Sequence, residues 1–291
     1  MMKRKEKKAR KVKSGFMADT WRHLKRNRMA VASLVIIGCI VLLAVFAPLF
    51  THYEYDAQDW SSMLQGPSAE HWLGTDNFGR DMYTRILYGA RISLLIAVAV
   101  VAISSAGGFF IGALAGYFKT LDLIVMRIVD ILAGIPSTLL AIALAASFGG
   151  GIRNLIVSLG ISYMPTCIRI VRSSVLSLRD NEFIEAAISI GAENPRIIFK
   201  HIMPNAMSPL IVQSTLNIAR TLISSATLSF LGLGVSAPSP EWGAMLSYGR
   251  TYIQDYPHMV IVPGLAIIVT TYALNLLGDG LRDALDPHLK Y

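Results

Sequence analysis

The chain has 291 residues, of which 53% are hydrophobic and only 16% are charged, and its mean hydropathy is +0.50. Soluble domains carry about 25% charged residues, so this composition excludes an ordinary soluble domain and predicts an all-α polytopic membrane protein. The net charge of +8 comes from the N-terminus, because residues 1–28 alone carry +10 and the other 263 residues total −2.

Residues 1–28 form a basic segment with twelve Lys and Arg against Glu6 and Asp19. The segment has few aromatic residues and directly precedes an uncharged run, which favours a positive-inside membrane anchor over nucleic-acid binding. That run, residues 29–50, is longer than a signal-peptide core, and no Ala-x-Ala cleavage pattern follows it. We therefore expect it to remain as the first transmembrane helix.

Six nearly uncharged stretches approach the length of about 20 residues that crosses a hydrocarbon core. They are residues 29–50, 92–118, 131–152, 154–176, 207–233 and 256–278. The fourth is the weakest, because Arg153 and Arg169 lie close to its ends, from which both could snorkel. The sequence thus predicts six transmembrane helices, with an external loop at 51–91, a five-helix core at 92–278 and a cytoplasmic tail at 279–291.

Loop charges agree with an N-terminus and a C-terminus that both lie in the cytoplasm. Residues 51–91 contain three arginines, no lysine and six acidic residues, whereas residues 169–206 contain five Lys and Arg, including Lys200. Because positive charge accumulates on the cytoplasmic side, the first loop is predicted to be external and the second, at 177–206, internal.

Close helix packing is predicted in the core. Short links at residues 119–130 and 149–153 make three consecutive spans antiparallel neighbours, and small residues allow their backbones to approach. These small residues are Gly107, Gly108, Gly112 and Gly116. Prolines at 136, 165, 209 and 263 are expected to bend the spans that contain them.

The internal loop contains two predicted short helices around a turn. Asn181 is expected to cap the first, Gly191 to end it, and Asn194 to cap the second, with Pro195 at its first position. Phe183, Ala186, Ala187 and Ile190 would share one apolar face, and Ile197, Ile198 and Ile202 another. Such a helix could enter a groove on a partner protein or lie on lipid as a simple connector.

This segment resembles the Glu-Ala-Ala loop of permease subunits in binding-protein-dependent ABC importers. The matching residues are Glu185, Ala186, Ala187, Gly191 and Pro204. In that family the loop is a coupling helix that sits in a cleft of the ATPase subunit. Met203 and His201 depart from the usual leucine and isoleucine without disturbing the helix-turn-helix pattern.

Two further segments resemble the dipeptide, oligopeptide and nickel branch of that family, in the second of its two permease types. They run from His71 to Asp81 and from Asn275 to Pro287. The resemblance implies a type I permease fold in the cell membrane, a second homologous permease subunit, two ATP-binding subunits and an external substrate-binding protein. It also implies that ATP and Mg are bound by the partner subunits and that this chain holds no cofactor.

Enzymatic chemistry is absent from the sequence pattern. There is no Gly-x-x-x-x-Gly-Lys-Ser/Thr phosphate loop, no Gly-x-Ser-x-Gly elbow and no His-Glu-x-x-His. The six histidines are scattered, and the two cysteines, Cys39 and Cys167, lie in apolar runs. We therefore predict a transport subunit that is not an enzyme and has no metal site.

Arg220 is the only charged residue between His201 and Glu241, and lies within a predicted span. Burying a charge in lipid is costly, so it must face protein or water. Two roles are open: lining an aqueous path, where it would attract a peptide carboxylate, or pairing structurally with a carboxylate or with carbonyls of another helix. A direct pair with Asp130 would require the two residues to lie at the same depth, which their positions do not favour.

The sequence thus predicts a permease subunit of an ATP-driven importer, with short peptides as substrate and glutathione or nickel and metal chelates as alternatives. Residues 51–91 and the loop 238–257, which contains Trp242, are candidate contacts for the binding protein. A proton-coupled secondary transporter would need an intramembrane carboxylate or histidine relay, for which Asp130 alone is thin support. A membrane scaffold would not require Arg220 or Glu185 for uptake.

Overall fold

In the computed structural model the described residues, 16–285, form a bundle of α-helices. The predicted basic segment is therefore covered only from residue 16, and the predicted tail only to residue 285. The helices are α1 (Phe16–Leu24), α2 (Arg28–Val45), α3 (Ala47–Phe50), α4 (Met82–Tyr117), α5 (Lys119–Ala133), α6 (Ser137–Phe148), α7 (Ile152–Arg179), α8 (Glu182–Ser189), α9 (Asn194–Arg196), α10 (Met203–Phe230), α11 (Trp242–Gly249) and α12 (His258–Leu285).

A polytopic membrane fold is confirmed. Helices α2, α4, α7 and α12 are long and apolar enough to cross a bilayer, and α5 with α6 makes a fifth span if the bent pair counts as one. The remaining predicted span is α10, which has 28 residues but carries an arginine, several amides and many hydroxyls. The predicted number of six therefore depends on counting both the bent pair and this polar helix.

At least three predicted boundaries differ from the structure, and one of them is the start of the tail predicted at residue 279, because α12 continues to Leu285. The loop predicted at 51–91 gives way to helix α4 at Met82, because the Asp81 carboxylate accepts hydrogen bonds from the Thr84 amide and hydroxyl, both at 2.7 Å, and so caps the helix. The predicted link 119–130 is itself the helix α5, and the third span is broken, with an 89° bend between α5 and α6. Pro136 lies at this break, where its missing N–H cannot continue the helix.

The glycines of α4 allow a close approach to α7, as the sequence predicts. A Cβ on Gly108 would lie 2.3 Å from Cys167 Cβ, and one on Gly112 would lie 2.7 Å from the Ile168 carbonyl oxygen. One turn further, a Cβ on Gly116 would lie 2.8 Å from Val175 Cβ. Backbone contact of this kind is how helices associate when lipid removes the hydrophobic driving force.

A buried apolar cluster attaches the loop after α7 to the bundle. Its members include Val171, Val175, Ile184, Ile197 and Ile202, all 0 or 1% exposed. A second cluster packs α6 against α7 and α4. The loop predicted to contact a partner is thus held by side chains from the spans on both sides of it.

Candidate functional site

The candidate coupling segment, residues 180–206 of the loop predicted at 177–206, begins where α7 ends. Only Asp180 and Asn181 separate α7 from α8. The Asn181 side-chain amide donates to the carbonyls of Ser177 (3.1 Å) and Leu178 (3.3 Å), which closes the end of α7. The side chain predicted to cap α8 thus binds the preceding helix, which ties the movement of α7 to that of α8.

Gly191 ends the turn after α8, as predicted. Its φ is +81°, in the left-handed region that glycine adopts without strain, and a Cβ there would meet no atom within 4 Å. The Ala192 amide donates to the Ala187 carbonyl at 3.0 Å, the longer hydrogen bond of a Schellman motif. The requirement for glycine therefore comes from the backbone and not from crowding.

The predicted role of Asn194 as a cap is wrong. Glu193 is the N-cap of α9, and Asn194 instead accepts a 2.6 Å hydrogen bond from the Tyr117 hydroxyl through its Oδ1 atom. Tyr117 is the last residue of α4, so this bond ties the coupling segment to a third span.

Residues Ile197–Ile202 form a π-helical turn that leads into α10 without a break. The Met203 amide donates to the Ile198 carbonyl, five residues earlier. Because Pro204 has no N–H and its ring would crowd the carbonyl four residues before it, the wider turn accommodates proline in a continuous helix. The part of the coupling segment from Ile197 onward is therefore helically continuous with α10.

The apolar side chains of the coupling segment divide between the bundle and solvent. Ile184 and Ala187 are buried, whereas Phe183 and Ile190 are 44% and 86% exposed, so the predicted four-residue face is only partly outward. The exposed part borders a groove of about 380 Å³ lined by Phe183, Ala186, Ala187, Ile190, Gly191, Ala192, Arg196, Lys200 and His201. The Glu185 side chain is exposed and has no hydrogen-bond or ion-pair partner among residues 16–285.

Arg220 lies on a polar face of α10 that also includes Gln213, Asn217 and Ser224. The spacing of four, three and four residues places these side chains on one side of the helix. Gln213 donates to Asn217 Oδ1 (2.9 Å), and Ser224 shares a 2.7 Å hydrogen bond with the Tyr163 hydroxyl of α7.

Arg220 itself is exposed and, within the described part of the chain, has no hydrogen bond or ion pair. By its sequence position it lies about 25 Å along a helix about 42 Å long, since each residue adds about 1.5 Å. Its side chain is exposed among the described residues, so its guanidinium is accessible to water or to another subunit.

Asp130 does not pair with Arg220. Its Oδ1 atom accepts a 2.8 Å hydrogen bond from Arg169 Nη2, and one turn further along α7 Arg172 forms a bidentate pair with Asp122. Both pairs were missed from the sequence because each joins residues about 40 to 50 positions apart. The only sequence signal of each pair was its acidic residue, which lies in the loop predicted at 119–130.

A buried ionic cluster at the N-terminal end of α4 was also missed. Asp76 accepts from Arg80 Nε at 2.7 Å and lies 3.5 Å from Arg85 Nε, while His71 contacts Asp81 at 3.0 Å, and all five are at most 5% exposed. Arg85 Nη1 also donates to the carbonyls of Tyr55 and Pro238. Buried charges of this kind must be paired and hydrogen-bonded, so the cluster holds the loop in one shape.

Trp242 is not available to a binding protein, because it is 2% exposed and its indole donates to the Ile86 carbonyl at 3.0 Å. The adjacent Glu241 is 1% exposed and caps α11 through a 2.8 Å bond from the Ala244 amide. Burial raises the pKa of the Glu241 carboxyl above its ordinary value, and hydrogen bonds from the Gly243 and Ala244 amides partly oppose this.

In the described part of the chain no three His, Cys, Asp or Glu side chains group as metal ligands.

Comparisons with protein families identify two matching models. Residues 108–291 match the binding-protein-dependent transport system inner membrane component, and residues 15–67 match the N-terminal transmembrane domain of oligopeptide transport permease C. The first match covers both the coupling segment and Arg220.

Curated relatives match over nearly the whole chain. A dipeptide transport system permease protein of Alkalihalophilus pseudofirmus is 47% identical over 273 residues, which cover 94% of this chain and 90% of the relative. A glutathione transport system permease protein of Pectobacterium atrosepticum is 44% identical, with 94% and 91% coverage. A putative peptide transport system permease protein of Brucella abortus is 43% identical, with 93% and 92% coverage.

Solved structures share the fold at lower sequence identity. A chain of a methionine ABC transporter in inward-facing conformations aligns with a TM-score of 0.58 and 20% identity, covering 70% of this chain and 97% of its own. A chain of an amino acid ABC transporter aligns with a TM-score of 0.52 and 18% identity, covering 68% and 92%. The predicted permease fold is confirmed by these alignments.

Proposed function

Because the chain belongs to the family of inner membrane components of binding-protein-dependent transport systems, we propose that it is a permease subunit of an ATP-driven importer of short peptides. It is a multi-pass protein of the inner membrane and a transport subunit, not an enzyme. Dipeptide and peptide permeases among its relatives support the substrate class. Glutathione, a tripeptide, is the second candidate, because a relative of similar identity is named for it.

The proposed assembly contains this chain, a second homologous permease subunit, two ATP-binding subunits and an external substrate-binding protein. ATP and Mg bind to the ATP-binding subunits, and this chain holds no cofactor. Both of its termini lie in the cytoplasm, on the side of the coupling segment. An ATP-driven change in the partner subunits shifts the population of two packing states of the bundle.

The observation that carries the proposal is the exposed apolar surface of α8 together with its rigid connections. Phe183 and Ile190 remain 44% and 86% exposed among the described residues, which suits insertion into a cleft of another protein. The Asn181 bonds tie α8 to α7, and the π-helical turn joins the segment to α10. A displacement of α8 is therefore transmitted to both α7 and α10.

Cross-linking tests this contact in the assembled complex. In a variant without Cys39 and Cys167, we expect Ile190→Cys to cross-link through a thiol reagent to an ATP-binding subunit. Ile253→Cys is a matched control, because Ile253 is 51% exposed and lies in the opposite, external loop. Cross-linking from neither position, or equally from both, would contradict the proposed coupling.

Arg220 is proposed to line the translocation path and to attract the C-terminal carboxylate of a peptide. Its exposure, its polar face on α10 and its missing partner within residues 16–285 support this role. We expect Arg220→Gln to reduce uptake while the complex still assembles, and Arg220→Lys, which keeps the charge, to retain more uptake. Joint loss of assembly and uptake would instead make Arg220 a structural residue at a subunit contact.

Competition assays separate the two substrate candidates. We expect unlabelled dipeptides to compete for uptake of a labelled dipeptide in vesicles that contain the complex and its binding protein. Competition by glutathione, without competition by unlabelled dipeptides, would identify glutathione as the substrate.

A further inference from the structure

Helix α5 has little apolar packing against the bundle and is joined to it by ion pairs. Of its 15 residues only Val129 is buried. A row of apolar side chains faces away from the chain, with Leu123 76%, Ile124 58%, Ile128 54% and Ile131 64% exposed. Helix α6, across the bend, is different, because Ala141 and Ala145 are fully buried in the core.

Two ion pairs connect α5 to α7. Arg172 binds both carboxylate oxygens of Asp122, with Arg172 Nη2 at 2.7 Å from Oδ2, and Arg169 Nη2 lies 2.8 Å from Asp130 Oδ1. The arginines are three residues apart and therefore on one face of α7. In the low dielectric near a bilayer such pairs are stronger than in water, and an unpaired charge is costly.

Helix α7 is also the helix that leads into the coupling segment. Arg172 lies seven residues before its end at Arg179, and Asn181 then ties that end to α8. On the other side, α5 ends at the break where Gly134 and Pro136 produce the 89° bend. One arm of the bent span is thus linked electrostatically to α7, the helix that leads into the coupling segment, and the other arm packs in the core.

We propose that the Asp122–Arg172 and Asp130–Arg169 pairs are positioning residues that transmit movement of the coupling segment to α5, which pivots at residues 134–136. These pairs make α5 move together with α7. The angle of the bent span therefore changes when the bundle passes from one packing state to the other. This inference rests on the proposed coupling function and adds the route from α8 to the bent span.

The test measures uptake and ATP hydrolysis by the complete complex in proteoliposomes, with its binding protein. We expect Asp122→Asn and Asp130→Asn to leave hydrolysis active and to lower the uptake per ATP at least about fivefold, the lower end of typical coupling between sites. The swap Asp122→Arg with Arg172→Asp should restore the ratio. Arg127→Gln is the matched control, since it removes an exposed charge of α5 that has no partner among residues 16–285.

Uptake per ATP equal to that of the unmodified complex in both Asn variants would overturn the proposal, and so would an assembled swap variant as poor as Asp122→Asn. The Asp130–Arg169 pair is 60% and 48% exposed, so its removal leaves the core intact and keeps the test decisive if the Asp122 variants do not assemble. The Ile190→Cys cross-link reports separately on the coupling function. A cross-link together with an unchanged ratio would refute only the ion-pair route.

Discussion

Replacing Gly108 by alanine should separate α4 from α7. The added Cβ would lie 2.3 Å from Cys167 Cβ and 3.0 Å from the Cys167 carbonyl carbon. Carbon atoms in contact prefer about 3.5–4.0 Å, so the helices must move apart by about 1 Å, because neither Cβ can rotate away. Overpacking of this kind costs about 1–3 kcal/mol, with this contact at the upper end.

Alanine also favours the helix over glycine by about 1 kcal/mol, which offsets part of that cost. The net expectation is a loss of about 2 kcal/mol in the free energy of unfolding. Two control glycines isolate the contact. The Cβ of Gly38→Ala meets nothing within 4 Å, and the nearest atoms to the Cβ of Gly107→Ala belong to the flexible Met164 side chain, with Cε at 2.6 Å and Sδ at 3.0 Å.

The measurement is thermal unfolding of the purified complex in detergent, followed by tryptophan fluorescence. We expect the order of stability Gly38→Ala, then Gly107→Ala, then Gly108→Ala. The second change Cys167→Gly removes the opposing Cβ and should return part of the loss. Equal stability of the Gly108 and Gly38 variants would refute the close-packing explanation.

Three further predictions concern the loops. Asp76→Asn leaves the buried Arg80 and Arg85 without their carboxylate and should lower the free energy of unfolding by about 3–5 kcal/mol. Thermal unfolding measures this loss, and a loss under about 1 kcal/mol would contradict a paired cluster. Burial raises the pKa of Glu241 above its ordinary 4.5, so the folded chain holds that proton more tightly than the unfolded chain. Stability should therefore fall as the pH rises from 4.5 through the raised pKa, and an identical pH profile for Glu241→Gln would disprove this assignment. Gly191→Ala should weaken cross-linking from Ile190→Cys, because its φ of +81° costs a Cβ-bearing residue about 1–2 kcal/mol, and Gly191→Asn should weaken it less.

Much of the candidate site could be predicted because its signals are local. Gly191 and the left-handed turn follow from one residue, and the helices on either side follow from their apolar periodicity. The choice of hydrogen-bond partners was less predictable. Asn181 and Asn194 both have the chemistry of a helix cap, but the structure places acceptors and donors of α7 and α4 closer to their side chains.

The sequence by itself determined that the chain is a membrane bundle, because lipid offers no hydrogen bonds and every apolar stretch must satisfy its backbone within its own helix. Only the tertiary structure decided which charges meet. Arg172 finds Asp122, 50 residues earlier, and Asp130 finds Arg169 and not Arg220, because the crossing of α5 and α7 sets those distances. The tertiary structure likewise buries Trp242, although the residues around it have the composition of an exposed loop. Local physics specifies each helix, whereas the partner of a side chain depends on how the helices pack.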